Sequence, residues 1–372
     1  MGFIKRMQDA KSDFYRLARF RNSEMILISR FTQVVVLLLL ITSANGQVSA
    51  KPDPLFQTND PLRVYLSGPF TTLIEERSKE DYLPGVVRYT EKDGTSVSLD
   101  LEIRTRGHNR HQNCDYPPVL LNFKKKQTTG TVFEGQNKLK LVIPCKYSSK
   151  YEQIILREYL AYRILNILTD MSFRVRLLQV SFDNIQKDQE LVVRYAFLIE
   201  HKKRLGERYG MKEWEVERAS VEEIVPDRLN LTSVFAYLIG NTDFSPIAGP
   251  PGEKCCHNYV LFRKEDAEPT FAIPYDFDQS GFVNAPYAVP ASAFRIKTVR
   301  TRLYRGRCVN NEYLSGSLQR LNDRRRQIYV LINDQEGLTD YTRKSLINYV
   351  DAFYKIINDP RAVQKNIVGK CV

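Results

Sequence analysis

No stretch of this 372-residue chain is apolar for long enough to cross a bilayer comfortably. Its continuous apolar run, Val34 to Ile41, falls well short of the roughly 20 residues a membrane helix needs, so no stable span is expected. There is no internal repeat and no low-complexity tract, which sets aside solenoids and arrays. Aromatic–basic platform motifs are missing too, which argues against nucleic acid as a partner. Beside Cys255-Cys256-His257 there is no second Cys/His cluster at zinc spacing, so disulfide chemistry is the better reading of those cysteines.

With 43% hydrophobic and 26% charged residues, the chain can bury a sizeable core. A net charge of +12 favours an acidic or anionic partner such as phosphate groups, acidic polymers or headgroups, although a basic solvated surface has the same composition. Arg30, the Val34–Ile41 run and Thr42-Ser43-Ala44-Asn45-Gly46 follow the order of a secretory leader, so residues 1–46 are expected to be removed near Gly46 or Ala50. A retained single-pass anchor is the alternative. The mature chain is then secreted or periplasmic, in any case extracytoplasmic. Six cysteines agree, an even number reading as disulfides in an exported chain. Cys114 with Cys145 is the expected first pair, with Cys308 and Cys371 tied to Cys255 and Cys256 or to each other. Asn230-Leu231-Thr232 is a glycosylation sequon.

Residues 47–60 read as a linker. From Leu62 to Leu141 the pattern is strand-like, with Val86–Tyr89 and Val97–Ile103 flanking the hairpin signal Asp93-Gly94. Val119–Phe123 and Lys138–Val142 are further strands. Ser149 and Glu152 fit a capping box opening a helix that is apolar over much of its circumference to about Leu168. Arg174–Phe182 and Glu190–Glu200 return to strand, residues 211–240 read as helix broken near Pro226, and 318–333 and 339–358 are amphipathic.

Three segments carry the chemistry: Gly240-Asn241-Thr242-Asp243, then His257-Asn258, then Pro274-Tyr275-Asp276-Phe277-Asp278. A loop Asp, an Asn beside a strand and an Asp ending the next strand is the order used in kinase-like phosphoryl transfer. There the first Asp orients the hydroxyl, and the Asn and last Asp hold Mg²⁺ against nucleotide phosphates. If Asp276 and Asp278, two apart, sit on a strand, they point to one side and repel unless a cation or Arg lies between them. The order of elements predicts an α+β, bilobal protein-kinase-like fold. Its β-rich N-lobe with one long helix would cover residues 61–200, and its mainly helical C-lobe residues 201–372.

Taken together, five segments across residues 100–280 resemble the CotH-like family of atypical, secreted or spore-coat protein kinases. They are Arg104–Asn109, Lys138–Val142 with Tyr151–Ile167, Arg194–Glu200 with Arg204–Gly210, Gly240–Asp243 with Asn258, and Ile273–Asp278. The resemblance implies Asp243 as catalytic Asp and Asn258 and Asp276 as metal ligands, with Asp278 beside them. It also implies Lys138 or Lys140 on the phosphates, positioned by Glu152 or Glu158, and Glu200 on the hinge strand at the nucleotide. Mg or Mn and ATP, or another nucleotide, would be the cofactors, and a protein or small hydroxylated compound the acceptor. The chain departs from the pattern in having no Gly-rich phosphate-covering loop and a long Asp243-to-Asn258 gap holding Pro246, Gly249-Pro250-Pro251-Gly252 and Cys255-Cys256. Two other readings stay open: an inactive kinase-like binding or structural protein, and a metal-dependent hydrolase using Asp243, His257, Asp276 and Asp278. The basic run from Arg295 to Arg307 is either an acidic-substrate surface or an exposed face of a C-terminal element.

Overall fold

Period-two alternation governs the first half of the chain. In the computed structural model, which describes residues 53–188, 191–265 and 268–372, seven strands take that pattern. They are β1 (Leu62–Gly68), β2 (Leu83–Thr90), β3 (Ser96–Thr105), β4 (Val119–Phe123), β5 (Lys138–Val142), β6 (Val175–Asn184) and β7 (Val192–Ile199). The expected leader and the start of the linker lie outside the described residues, as does Glu190, the expected start of β7.

These strands form one closed barrel in the order β1-β2-β3-β4-β5-β7-β6. Antiparallel pairing joins every neighbour except β1 and β6, which run parallel, Leu62 opposite Leu178. Leu66, Val87, Ile103, Leu121, Leu139, Leu141, Val180 and Leu198 fill the interior. Closure leaves no free sheet edge. The outer faces of β6 and β7 are covered as well, which is why both are apolar on either side: Leu177 and Phe197 face the 149–168 helix, while Leu178 and Leu198 face the barrel interior.

This architecture overturns the expected bilobal kinase fold. The β-rich part is a closed barrel rather than an open lobe, and the second half is not mainly helical. It holds an antiparallel sheet of β8 (Lys212–Glu213), β9 (Tyr259–Arg263) and β10 (Phe271–Pro274) in the order β10-β9-β8. The described residues nonetheless form one compact unit: the barrel interior is one apolar core, and a second, larger one runs from Val142 through the Ser149–Leu168 helix to Ile367.

Individual elements mostly lie where the pattern puts them, but the strand-like 62–141 segment also holds the short helices Phe70–Glu76, Asn109–Asn113 and Lys125–Thr128, and four further readings change. Residues 211–225 form β8 and a short 3-10 turn, Val221–Glu223, so only Pro226–Ile239 is helical in the 211–240 segment. The Ser149–Glu152 capping box does not form: the Ser149–Leu168 helix has no side-chain N-cap, and Glu152 instead accepts from the Tyr195 amide at 2.7 Å. The sequon is internal. Asn230 is 1% exposed, donates to Asn310 O at 3.0 Å and accepts from Ser317 Oγ at 2.7 Å, so it is closed to glycosylation. The basic run is divided: Arg295 and Lys297 are exposed, whereas Arg302 donates to the carbonyls of Tyr237, Leu238 and Tyr349 and lies over the Tyr349 ring.

Three disulfides close the structure: Cys114–Cys145, Cys308–Cys371 and the adjacent pair Cys255–Cys256. Among the described residues no helix is long and apolar enough to cross a membrane.

Candidate functional site

The site begins at a helix end. Pro226 opens the Pro226–Ile239 helix, where its missing N–H costs nothing. Gly240 closes it at φ +64°, and a Cβ there would run into the Tyr349 hydroxyl. The chain then turns on Asn241, whose Oδ1 accepts from the Asp243 amide at 2.9 Å. Arg305 grips the carbonyls on both sides of Asp243, donating to Thr242 O and Phe244 O at 2.6 Å each. The half-buried Asp243 carboxylate is thereby held in one place.

Two neighbours meet it there. His257 Nε2 lies 2.8 Å from Asp243 Oδ1, and Asn258 Nδ2 donates to Oδ2 at 3.0 Å and to the Asp243 carbonyl at 2.7 Å. A backbone bridge, Ser245 N to His257 O at 2.9 Å with the return bond at 3.0 Å, brings the two segments together across the long gap. The Asp243 hydrogen bond raises the His257 pKa, against burial, so the imidazolium is favoured.

Sheet register delivers the third segment. β9 and β10 pair with Pro274 opposite Tyr259, so the residue before one strand and the residues after the other sit side by side. The Tyr275 amide donates to Asn258 O at 3.0 Å and the Asp276 amide to the Tyr162 hydroxyl at 2.8 Å. Asn258 and Asp276 both have positive φ, +55° and +61°, a conformation that Asn and Asp tolerate better than most residues. Phe277 is buried against Tyr162 and Phe235 at ring distances of 4.5 and 5.3 Å, leaving Asp276 exposed and Asp278 buried on either side.

Below them lies a buried charge cluster. Glu158, 2% exposed, faces Arg110 at 3.7 Å. Arg110 also donates to the Ile143 carbonyl. Burial, with Asp276 beside it, pushes the Asp278 carboxyl up to about 7, against the pull of Arg110 and Tyr287. Burial and the Asp278 charge raise Glu158 well above the usual carboxylate range. On the other side stand two cations. Lys140, on the outer face of β5, lies 4.9 Å from the centre of the Tyr275 ring, and burial together with Arg106 lowers its pKa to about 8. Arg106 makes no side-chain hydrogen bond or ion pair with the described residues, and its buried Nε is orphaned. Asp276 offsets the desolvation of both.

The structure thus brings Asp243, Asn258, Asp276, Asp278, Glu158 and Lys140 into one electrostatic neighbourhood. It separates the remaining candidates from that task. Glu200 is buried in a two-point pair with Arg208, at 2.8 Å from Nε and 2.8 Å from Nη2, and also caps the Arg174 amide, so it is a structural group. Glu152 is spent on Tyr195. Lys138 lies exposed one pleat from Lys140. Among the described residues neither lysine has a carboxylate at ion-pair distance, so the expected Lys–Glu pair is replaced by Glu158 with Arg110. Arg106, Arg110 and Tyr162 are the residues that sequence reasoning left out of the site. The first two sit in the Arg104–Asn109 segment and just after it, where the basic spacing was visible and its direction was not.

Among the described residues no three His, Cys, Asp or Glu side chains converge on one point with metal-binding geometry. Mg²⁺ or Mn²⁺ carried by phosphate would ask less of the protein, one or two carboxylates such as Asp276 and Asp278, with water and substrate oxygens filling the rest of the shell. No protein-family model matches the chain, and no curated protein matches it significantly.

Proposed function

We propose that this chain is an extracytoplasmic phosphotransferase that moves a phosphoryl group from a metal-bound nucleotide to a hydroxyl on a protein or a small acceptor. The observation that carries the reading is the pair Lys140 and Arg106. They are two cations without carboxylate partners among the described residues, facing Asp276 beside a cluster rich in carboxylates. One half of the site wants an anion and the other a cation, which a metal–phosphate group satisfies together. The reading retains the residue order of the CotH-like resemblance without its expected fold. The three disulfides are compatible with an oxidising compartment.

Asp243 would orient the acceptor hydroxyl and take up its proton, with His257 and Asn258 holding the carboxylate in position. Lys140 and Arg106 would bind phosphate oxygens. A divalent ion would be held by Asp276, Asp278 and the side-chain Oδ1 of Asn258, whose Nδ2 is given to Asp243, and would neutralise phosphate charge. Glu158 and Arg110 set the charge beneath Asp278 and touch no substrate.

Thermal unfolding of the purified chain tests this. Mn²⁺ or Mg²⁺ with ATP at about 100 times the dissociation constant is expected to stabilise by roughly 2.7 kcal/mol. The gain should vanish in Asp276→Ala and in Lys140→Met. Phosphate appearing on the chain itself by mass spectrometry, and absent from Asp243→Ala, would establish transfer. Stabilisation by metal alone would replace this reading with a hydrolase. No response to either component would leave a binding module.

A further inference from the structure

A cavity of about 260 Å³ opens at one mouth of the barrel, apart from the charged site. Its wall is apolar: Phe70, Leu73 and Ile74 come from the Phe70–Glu76 helix, Tyr116 and Ile143 from the chain beside β4 and β5, and Phe182 from β6. Barrel mouths are common ligand sites because the closed sheet supplies a concave, rigid, largely apolar wall. The polar residues lining this one are unevenly charged. Lys146, Lys187 and Arg194 stand against a single carboxylate, Glu75. Lys146 also faces Asp115 at 3.7 Å, but both groups are about half exposed and the pair is weak. Arg194 lies 4.5 Å from the ring of Tyr147, a lining residue that is 61% exposed, so the rim also presents an aromatic surface.

From this we infer that the barrel mouth binds a single-chain amphiphile with an anionic head, of the fatty-carboxylate class. The apolar wall takes the chain and the Lys146–Lys187–Arg194 rim takes the head. The volume sets the size: it lies just below the roughly 300 Å³ at which drug-sized pockets begin, enough for one acyl chain and too little for two. This site is independent of the phosphotransfer reading, sharing none of its residues.

Calorimetric titration of the full chain with hexanoate, octanoate, decanoate and dodecanoate below their micelle concentrations, beside the matched 1-alcohols, tests the inference. Affinity for the carboxylates should rise about threefold to fourfold per added methylene until the cavity is full, then level off. Ile74→Trp, which fills the cavity, should abolish binding at an unchanged melting temperature. Lys187→Glu with Arg194→Glu should weaken the carboxylates about tenfold and leave the alcohols unchanged. If Ile74→Trp fails to fold, the charge-reversed pair decides alone. The inference is overturned if affinity ignores chain length, if charge reversal leaves the carboxylates unaffected, or if binding occurs only to vesicles of anionic phospholipid and never to free carboxylates.

Discussion

Glu158 and Asp278 compete for one guanidinium, that of Arg110, and both are held above their usual range by burial. The consequence for stability has a sign. Between its usual value of 3.8 and about 7, Asp278 keeps a proton in the folded chain that the unfolded chain has lost. Its contribution is therefore full below pH 3.8 and is lost as pH rises through about 7. Lys140 behaves oppositely. Lowered from 10.5 to about 8, it leaves the unfolded chain with the extra proton in that window, so its contribution grows as pH rises from about 8. Asp278 and Lys140 together oppose folding most between about pH 7 and 8, where both are charged. Asp278→Asn should raise the urea midpoint at pH 7.5 by an amount worth on the order of 1–3 kcal/mol and flatten the decline between pH 4 and 7. An undiminished decline in the variant would assign it to other groups. Asp278 was legible from sequence, because carboxylates after an apolar strand are conspicuous, whereas Arg110 was not. Nor was the pairing: Glu158 lies on the same helix as Glu152, and only the packing of that helix against Arg110 and β7 separates their roles.

Turns and register, rather than the long helices, deliver the site at the element scale. Gly240 shows this most directly, since its left-handed backbone ends the Pro226–Ile239 helix and starts the Asn241–Asp243 turn. Gly240→Ala adds both a left-handed alanine and a clash with the Tyr349 hydroxyl. It should lower stability by about 2 kcal/mol in denaturant titration and reduce nucleotide-dependent stabilisation with it, since Asp243 would move. A variant of wild-type stability would show that the Tyr349 ring gives way freely. A glycine just past an apolar helix was readable as an end signal, as were the β2–β3 hairpin and the β9 and β10 strands. Residues 211–225 were misread as helix; there Val216, Ala219, Val221 and Ile224 pack irregularly in one cluster with Leu229, Tyr259 and Leu261, a tertiary arrangement with no local period. The missing capping box has a similar cause, a tertiary partner, Tyr195, outcompeting the local one.

For the whole molecule, closure is the dominant fact. The barrel is completed by the parallel pairing of β1 with β6, strands more than a hundred residues apart, as the Arg63 Nε to Gln179 Oε1 bond of 3.1 Å also shows. A sequence reads as strands and helices in order, and that order fits several architectures; a pairing between distant strands leaves no local mark. Covalent closure is shared unevenly between the ends of the chain. Cys308–Cys371 spans 63 residues and ties the segment after β10 to the last two residues. Replacing both by Ser should cost about 3–4 kcal/mol in guanidinium unfolding, by release of the denatured chain from a long loop. A loss below about 1 kcal/mol would mean that the Asp340–Ile357 helix and its neighbours hold that end without it.

By itself the sequence picked out the acidic segments that the fold brings together, most of the strands, and that cysteines pair, because acidity, alternation and an even count of thiols are local or compositional properties. Tertiary structure alone decided that the sheet closes into a barrel, that Arg110 rather than a lysine answers Glu158, and that Glu200 and Asn230 are structural. Those outcomes depend on groups far apart in the chain being desolvated together, and desolvation is a property of the folded whole.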